Sequence, residues 1–323
     1  MAEASAFWTT APGCGELRRE VLREPGPDEV LVETSFSGIS RGTERLVYQG
    51  LVPLSQRQVM RAPFQAGDFA FPVKYGYSAV GIVVEGAEDW RGRRVFCLHP
   101  HQDRFVVPAD AVVALPPELP DARAVLAANM ETALNGLWDG TPRIGDRVAV
   151  VGAGVVGALT AALAAGVPGT RVELIDVNPR KAEIARALGI AFRLPGEATG
   201  EADLVVHASG TADGLASALG LAGFEATVLE LSWYGDQAVP APLGEAFHSR
   251  RLVLRSSQVG AVAPARRARR DHRQRLMLAL ELVAEPRFDA LLASPVRFGD
   301  LPQAMTTLLT AKSDVLCQPV AYR

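Results

Sequence analysis

The spacing of apolar residues changes period partway along the chain. Up to about residue 120, short runs of strand-like composition recur between turn signals, at 29–34, 80–84, 94–97 and 105–107. Pro-Gly-Pro at 25–27 and Pro-Pro at 116–117 break between them, so residues 1–120 read as a small, irregular β domain. Beyond 121, runs of helical period alternate with continuous apolar runs. The pattern predicts helices at 126–138, 155–166, 179–188 and 213–222, and strands at 147–151, 171–175, 203–206, 226–231 and 251–256. Apolar strands alternating with helices imply a parallel sheet covered on both faces, so 121–265 reads as a doubly wound α/β domain. Residues 266–323 read as an Arg-rich linking helix followed by short strand-like runs at 294–298 and 315–322 that return to the first domain.

Composition narrows the function classes. A length of 323 residues suits two domains, and 48% hydrophobic with 21% charged residues excludes disorder as the main state. The net charge of −3 gives no bulk electrostatic case for nucleic acid. Cys14, Cys97 and Cys317 are odd in number and far apart, which fits a reducing, cytoplasmic setting rather than a disulfide framework. The first twenty residues lack the apolar core of a secretory signal. Residues 148–170 carry no charge over 23 positions, enough to cross a bilayer, but glycines at 152, 154 and 157 and Pro168-Gly169 divide the run. No membrane span is expected. Six arginines fall within 266–275, and 266, 269, 270 and 273 would share one helical face. A solvated face is the expectation there, with steering of an acidic substrate or a cofactor phosphate as the alternative.

The strongest motif is Gly152-Ala153-Gly154-Val155-Val156-Gly157, which follows a predicted strand and opens a predicted helix. Gly152 permits the tight turn, Gly154 lets the backbone approach a pyrophosphate, and Gly157 lets helix and strand pack closely. Backbone N–H groups of Val155 and Val156 at the helix start would receive phosphate charge. Asp176, 24 residues beyond Gly152, would accept both ribose hydroxyls and repel a 2′-phosphate. NAD(H) is therefore expected over NADP(H), although Arg180 and Lys181 beside Asn178 temper that. Further cofactor contacts are expected at the carboxyl ends of the later strands: Ser209, Gly210, Ser232, Trp233, Tyr234, Ser257 and Gln258.

These features resemble the medium-chain dehydrogenase/reductase family, in which a GroES-like β domain is fused to a Rossmann domain. The likeness rests on Pro25-Gly26-Pro27-Asp28-Glu29-Val30-Leu31-Val32, Ser37-Gly38-Ile39-Ser40-Arg41-Gly42-Thr43-Glu44, Gly76-Tyr77-Ser78-Ala79-Val80-Gly81, the glycine turn and Asp176-Val177-Asn178-Pro179-Arg180-Lys181. Within the family the chain is most similar to the group containing bacteriochlorophyllide a dehydrogenase, on Ser40-Arg41-Gly42-Thr43-Glu44 and Phe71-Pro72-Val73-Lys74-Tyr75-Gly76-Tyr77. The departures are informative. Where zinc-dependent members place a Cys, a His and a third Cys or Glu, this chain has Ser40 or Arg41, Tyr77, and Ala127 or Ala128. No zinc is expected, and a site built from His99, His101 and Glu131 is the weaker alternative.

Without a metal, the substrate oxygen needs another group to stabilise it or exchange its proton. The resemblance puts Tyr77 in place of the lost His ligand, His99 and His101 in the pocket wall, and Thr43 at the relay hydroxyl. Ser40 joins them as the counterpart of the first ligand. Arg41 and Lys74 could hold an anionic substrate, while Glu131 and Thr132 lie where relatives approach the nicotinamide. The expectation is a zinc-independent, NAD(H)-dependent oxidoreductase that interconverts a secondary alcohol and a ketone in the interdomain cleft, acting on a small-molecule substrate as a homodimer. An NADPH-dependent enone or quinone reductase and a catalytically inactive dinucleotide-binding regulator are the rival readings.

Overall fold

The computed structural model describes residues 2–310 and 313–322. In chain order the strands and helices are β1 (Ala2–Ala11), β2 (Cys14–Leu22), β3 (Glu29–Ser40), α1 (Arg41–Tyr48), β4 (Ala66–Gly67), β5 (Val73–Lys74), β6 (Ala79–Gly86), β7 (Arg94–Cys97), β8 (Arg104–Pro108), β9 (Val112–Ala114), α2 (Asp121–Ala124) and α3 (Ala127–Gly140). There follow β10 (Arg147–Val151), α4 (Val155–Ala165), β11 (Arg171–Ile175), α5 (Lys181–Ala187), β12 (Ala191–Arg193), β13 (Ala202–His207), α6 (Ala212–Leu221), β14 (Ala222–Glu230), β15 (Val253–Ser256), α7 (His272–Leu282), β16 (Val296–Arg297), α8 (Leu301–Leu308) and β17 (Cys317–Ala321).

The chain forms two compact units, 1–128 with 280–323, and 129–279. The divisions fall inside the first turn of α3 and the last turn of α7, where the sequence pattern placed them near 120 and 265. In the first unit a seven-stranded sheet runs β16-β17-β3-β6-β7-β9, with β8 also paired to β3. Its inner face is a β-branched cluster that includes Val30, Val32, Val83, Val95, Val107 and Val112. The C-terminal return is real: β17 pairs antiparallel with β3, and Phe298, Leu301 and Met305 pack with Phe7, Ile39 and Tyr48.

The second unit is a six-stranded parallel sheet in the order β12-β11-β10-β13-β14-β15. Val150, Val205, Val206, Val228 and Leu229 are wholly buried, as strands covered on both faces require.

The short strands β4, β5, β9 and β12 fall outside the predicted elements, and three further features depart from the sequence pattern. The hairpin β1–β2, joined through Gly13 at φ +71°, was not signalled, because β2 alternates charged residues along a partly exposed strand. Helix α1 begins at Arg41, inside a segment read only for its chemistry. The arginine run is not one helix: turns occupy 264–269, and α7 starts at His272. Asp271 accepts the Gln274 N–H at 2.7 Å while Gln274 accepts the Asp271 N–H at 3.1 Å, a reciprocal cap that sets the helix start. Arg266, Arg269 and Arg270 therefore share no helical face with Arg273.

Buried Arg123 fastens α2 to the returning C-terminal segment of the first unit. Its guanidinium donates to both carboxylate oxygens of Asp289 at 2.7 and 2.8 Å and to the Ala284 carbonyl at 2.6 Å. Asp289 is largely solvated, which weakens the charge contribution. Arg123→Ala is expected to lower the unfolding free energy by about 1–3 kcal/mol, measured by urea denaturation.

Candidate functional site

The second unit builds a dinucleotide-type turn where β10 meets α4. Gly152 has φ +105°, and a Cβ there would sit 2.6 Å from the Ser209 nitrogen. Gly157 packs so closely that a Cβ would lie 1.9 Å from the Gly152 carbonyl oxygen. Around Gly154, by contrast, nothing lies within 4 Å of a Cβ position, so this side of the turn stands open to a ligand. Val155 and Val156 form the first turn of α4, whose axis directs N–H groups toward that opening. Asp176, at the end of β11, accepts the Ala153 N–H at 2.7 Å and the Asn178 N–H at 2.9 Å. Its remaining lone pairs can take ribose hydroxyls. Asn178 in turn accepts the N–H of exposed Arg180 at 3.1 Å. The residues present fit a nicotinamide dinucleotide.

The carboxyl ends of β13 and β14 carry a side-chain network that sequence reasoning missed. Register pairs His207 with Glu230, and parallel strands put partners on one face. His207, fully buried, shares a 2.7 Å hydrogen bond with Glu230 through Nδ1 and a 2.6 Å bond with Ser209 Oγ through Nε2. The Tyr234 hydroxyl donates to Glu230 at 2.8 Å, and the Ser232 N–H donates to it at 2.7 Å. Gly210 N–H donates to Ser232 Oγ at 3.1 Å. Burial opposes ionisation of Glu230, yet its bonds from His207 and Ser232 hold its pKa below the ordinary value. Burial and the same carboxylate push the Tyr234 phenol up. Four of the predicted cofactor residues, Ser209, Gly210, Ser232 and Tyr234, thus converge on this network. Ser257 instead donates to Asp139 at 2.6 Å, and Gln258 closes a local turn onto the Gly260 N–H. Trp233 and Thr132 are half-buried, on the loop after β14 and on α3.

In the first unit a second polar cluster forms around Glu44. This carboxylate, 2% exposed, accepts the Ser40 N–H at 2.7 Å and bonds His101 Nε2 at 2.9 Å. His101 Nδ1 bonds Ser37 Oγ at 2.7 Å, and Ser37 meets the Tyr322 hydroxyl at 2.9 Å. Gly76 must be glycine: at φ +128° its Cβ would press on His101 at about 3.0 Å. The adjoining Tyr77 side chain lies close enough to the Ser40 and Thr43 side chains for both to favour its ionised form. Burial first, then the Glu44 charge, pushes its pKa above the ordinary range, so the phenol keeps its proton. Tyr77 also meets Tyr75 edge to face at 5.9 Å. Tyr77, Ser40, Thr43 and His101 are therefore gathered around one carboxylate, and Ser37, Glu44 and Tyr322 are members the sequence reading did not single out.

Four predicted residues are differently engaged. His99 is buried and stacked on Phe105 at 3.8 Å between ring centres, with Nδ1 on the Pro100 carbonyl at 3.0 Å. Burial lowers its pKa to about 3, so near neutral pH the ring stays uncharged with its one N–H committed to the Pro100 carbonyl, an arrangement that does not favour the expected acid–base role. Arg41 donates to the carbonyls of Leu308, Thr310 and Val315 at 3.1, 2.9 and 3.1 Å. Lys74 is buried against Glu20 at 2.7 Å and Gln102 at 2.9 Å. Glu131 pairs in the interior with Arg275 at 2.9 Å, where burial raises its pKa against the pull of that arginine. These three charged groups hold the chain together, and the substrate-binding roles expected for them are corrected accordingly.

Among the described residues no group of three or more His, Cys, Asp or Glu side chains is placed to hold a metal ion. His101 and Glu44 satisfy one another, and Arg41 and Tyr77 are not zinc ligands. The residues at this place do not fit the zinc centre of metal-dependent dehydrogenases.

An antiparallel β unit and a six-stranded parallel sheet with its glycine turn make up the fold of this chain, and solved dehydrogenase structures share it. No family model matches the sequence. The chain is 35% identical over 164 residues to 2-desacetyl-2-hydroxyethyl bacteriochlorophyllide A dehydrogenase of Cereibacter sphaeroides. That match spans 44% of this chain and 46% of the relative, less than half of either. Two solved structures share the fold over 100% of both chains. One is described as a zinc-binding dehydrogenase from Sinorhizobium meliloti 1021 bound to NADP, at TM-score 0.79 and 21% identity. The other is an alcohol dehydrogenase from Escherichia coli CFT073 complexed with NADH, at TM-score 0.78 and 16% identity. The chain is similar to the medium-chain dehydrogenases and reductases in both sequence and fold.

Because unfolded His99 takes up a proton near its ordinary pKa of about 6.5 while the folded ring resists until about 3, acid favours the unfolded chain. Its contribution is fully present above about 6.5 and is lost as pH falls from there toward about 3. His99→Phe is expected to lose less thermal stability than the wild type on acidification through this window, as followed by calorimetry. Equal losses would show that the ring does not titrate this way.

Proposed function

We propose that this protein is a zinc-independent, NAD(H)-dependent oxidoreductase that interconverts a secondary alcohol and a ketone, working as a cytoplasmic homodimer on a small-molecule substrate. The observation that carries the reading is the Tyr77 hydroxyl. It keeps its proton and lies beside Ser40 and Thr43, at the position the resemblance gives to a zinc ligand. A phenol held neutral in this way donates a hydrogen bond to the substrate oxygen as negative charge grows there. Ser40 and Thr43 offer hydroxyls for exchanging the proton with water. The Glu44–His101 pair holds Ser40 in place from behind. His99 takes no part in proton exchange.

Gly152, Gly154, Gly157 and the start of α4 would hold the pyrophosphate, and Asp176 the adenosine ribose. Bound there, the nicotinamide supplies the group that accepts or gives the hydride. The carboxylate of Asp176 supports NAD over NADP, because a 2′-phosphate would meet a like charge. No helix among the described residues is long and apolar enough to cross a membrane. The homodimer is supported by β15, the edge strand of the second unit's sheet, where all four residues are exposed. Sedimentation velocity checks it, and a monomer at micromolar concentration would remove this element of the reading.

Tyr77→Phe is expected to lower kcat about 10²- to 10³-fold with the KM for NAD unchanged, in a panel of secondary alcohols and ketones. Turnover of the wild type is expected to survive chelation and to favour NADH over NADPH by at least about tenfold. Full activity in Tyr77→Phe, or one tightly held metal per chain that turnover requires, would defeat the proposal.

A further inference from the structure

His207 is a buried imidazole with both nitrogens committed, lying at the cofactor end of the parallel sheet. Its surroundings explain why it is there. Across the ladder stands Glu230, its register partner, and beyond the end of its own strand stands Ser209. Val151, its partner on β10, is apolar, so the polar groups facing the ring come from the β13–α6 turn and from β14 with its following loop. Those are Ser209, Glu230, Ser232 and Tyr234, the last with its hydroxyl 3.2 Å from Nδ1.

Ser209 carries the network to the glycine turn. Its backbone nitrogen and Cα pack on Gly152 so closely that a Cβ there would lie 2.6 and 2.7 Å from them. Its hydroxyl also meets Thr211, the residue that caps α6, at 2.9 Å. Glu230, the two imidazole nitrogens, the Ser209 hydroxyl and the Thr211 hydroxyl thus form one unbroken chain of hydrogen bonds from β14 to the cap of α6.

We propose that His207, braced by Glu230, is a positioning residue for the dinucleotide: through Ser209 it fixes the segment on which the Gly152 turn rests. The inference depends on the reading of this sheet edge as the nicotinamide dinucleotide site.

The test is direct titration of NADH, followed by its own fluorescence, into the full chain and into His207→Phe, Glu230→Gln and Ser209→Ala. His207→Phe and Glu230→Gln are expected to weaken binding about tenfold, and Ser209→Ala about fivefold. His207→Gln, which keeps a donor and an acceptor for Glu230 and Ser209, is expected to bind NADH within about threefold of the wild type. If circular dichroism shows that His207→Phe does not fold, the other variants decide. Unchanged affinity in folded Glu230→Gln, Ser209→Ala and His207→Phe overturns the positioning role alone. A wild-type chain that binds no NADH overturns the cofactor reading itself.

Discussion

A carboxylate taken out of water must be met by hydrogen-bond donors or it will not stay ionised. Glu44 is such a group, and the candidate chemistry of the first unit is organised by satisfying it. The first turn of α1 aims the side chain back at the Ser40 N–H, which ends β3 at a defined residue. The other oxygen draws His101 inward from the loop after β7, and His101 then requires Ser37 and Tyr322. Gly76 is forced by the nearness of that imidazole, and Tyr77 follows it directly in the chain. Ser40 at the end of β3, Thr43 on α1 and Tyr77 in the loop before β6 are thus placed by the demands of a buried charge as well as by the elements that carry them.

The second unit solves a related problem by register. A parallel sheet aligns the ends of its strands, and the last paired positions of β13 and β14 hold a histidine and a glutamate. Neither is tolerable alone in that interior. Together, with Ser209, Ser232 and Tyr234 supplying the remaining bonds, they form a satisfied network beside the glycine turn. Polar networks of this kind are favourable only when complete, which ties the loops after both strands into one rigid arrangement.

Charged residues that look like ligand contacts in a linear reading can be consumed by the fold. Arg41, Lys74 and Glu131 each found protein partners, three carbonyls for the first and opposite charges for the others. The partners lie as much as 274 residues away in the chain, a distance no local pattern reports. His99 shows the same limit from another side. Its neighbours in sequence suggested a pocket wall, but Phe105 and Phe64 enclose the ring and oppose its taking up a second proton.

The order of strands and helices in the second unit apart from the short edge strand β12, the glycine turn and Asp176 were legible in the residues themselves, because helical and strand periods and the φ demands of glycine are local properties. So was the return of the C-terminal segment, signalled by short apolar runs after a linking helix. The reciprocal cap at Asp271 and Gln274 was written locally too, yet the arginine run beside it drew the helix boundary too early. What tertiary structure alone decided was which polar groups meet. Glu44 with His101, His207 with Glu230, and Arg275 with Glu131 are separated by 57, 23 and 144 residues. Periodicity fixes which face a side chain takes, but only packing and strand register choose its partner, and it is partnership that turns a buried charge into part of a site.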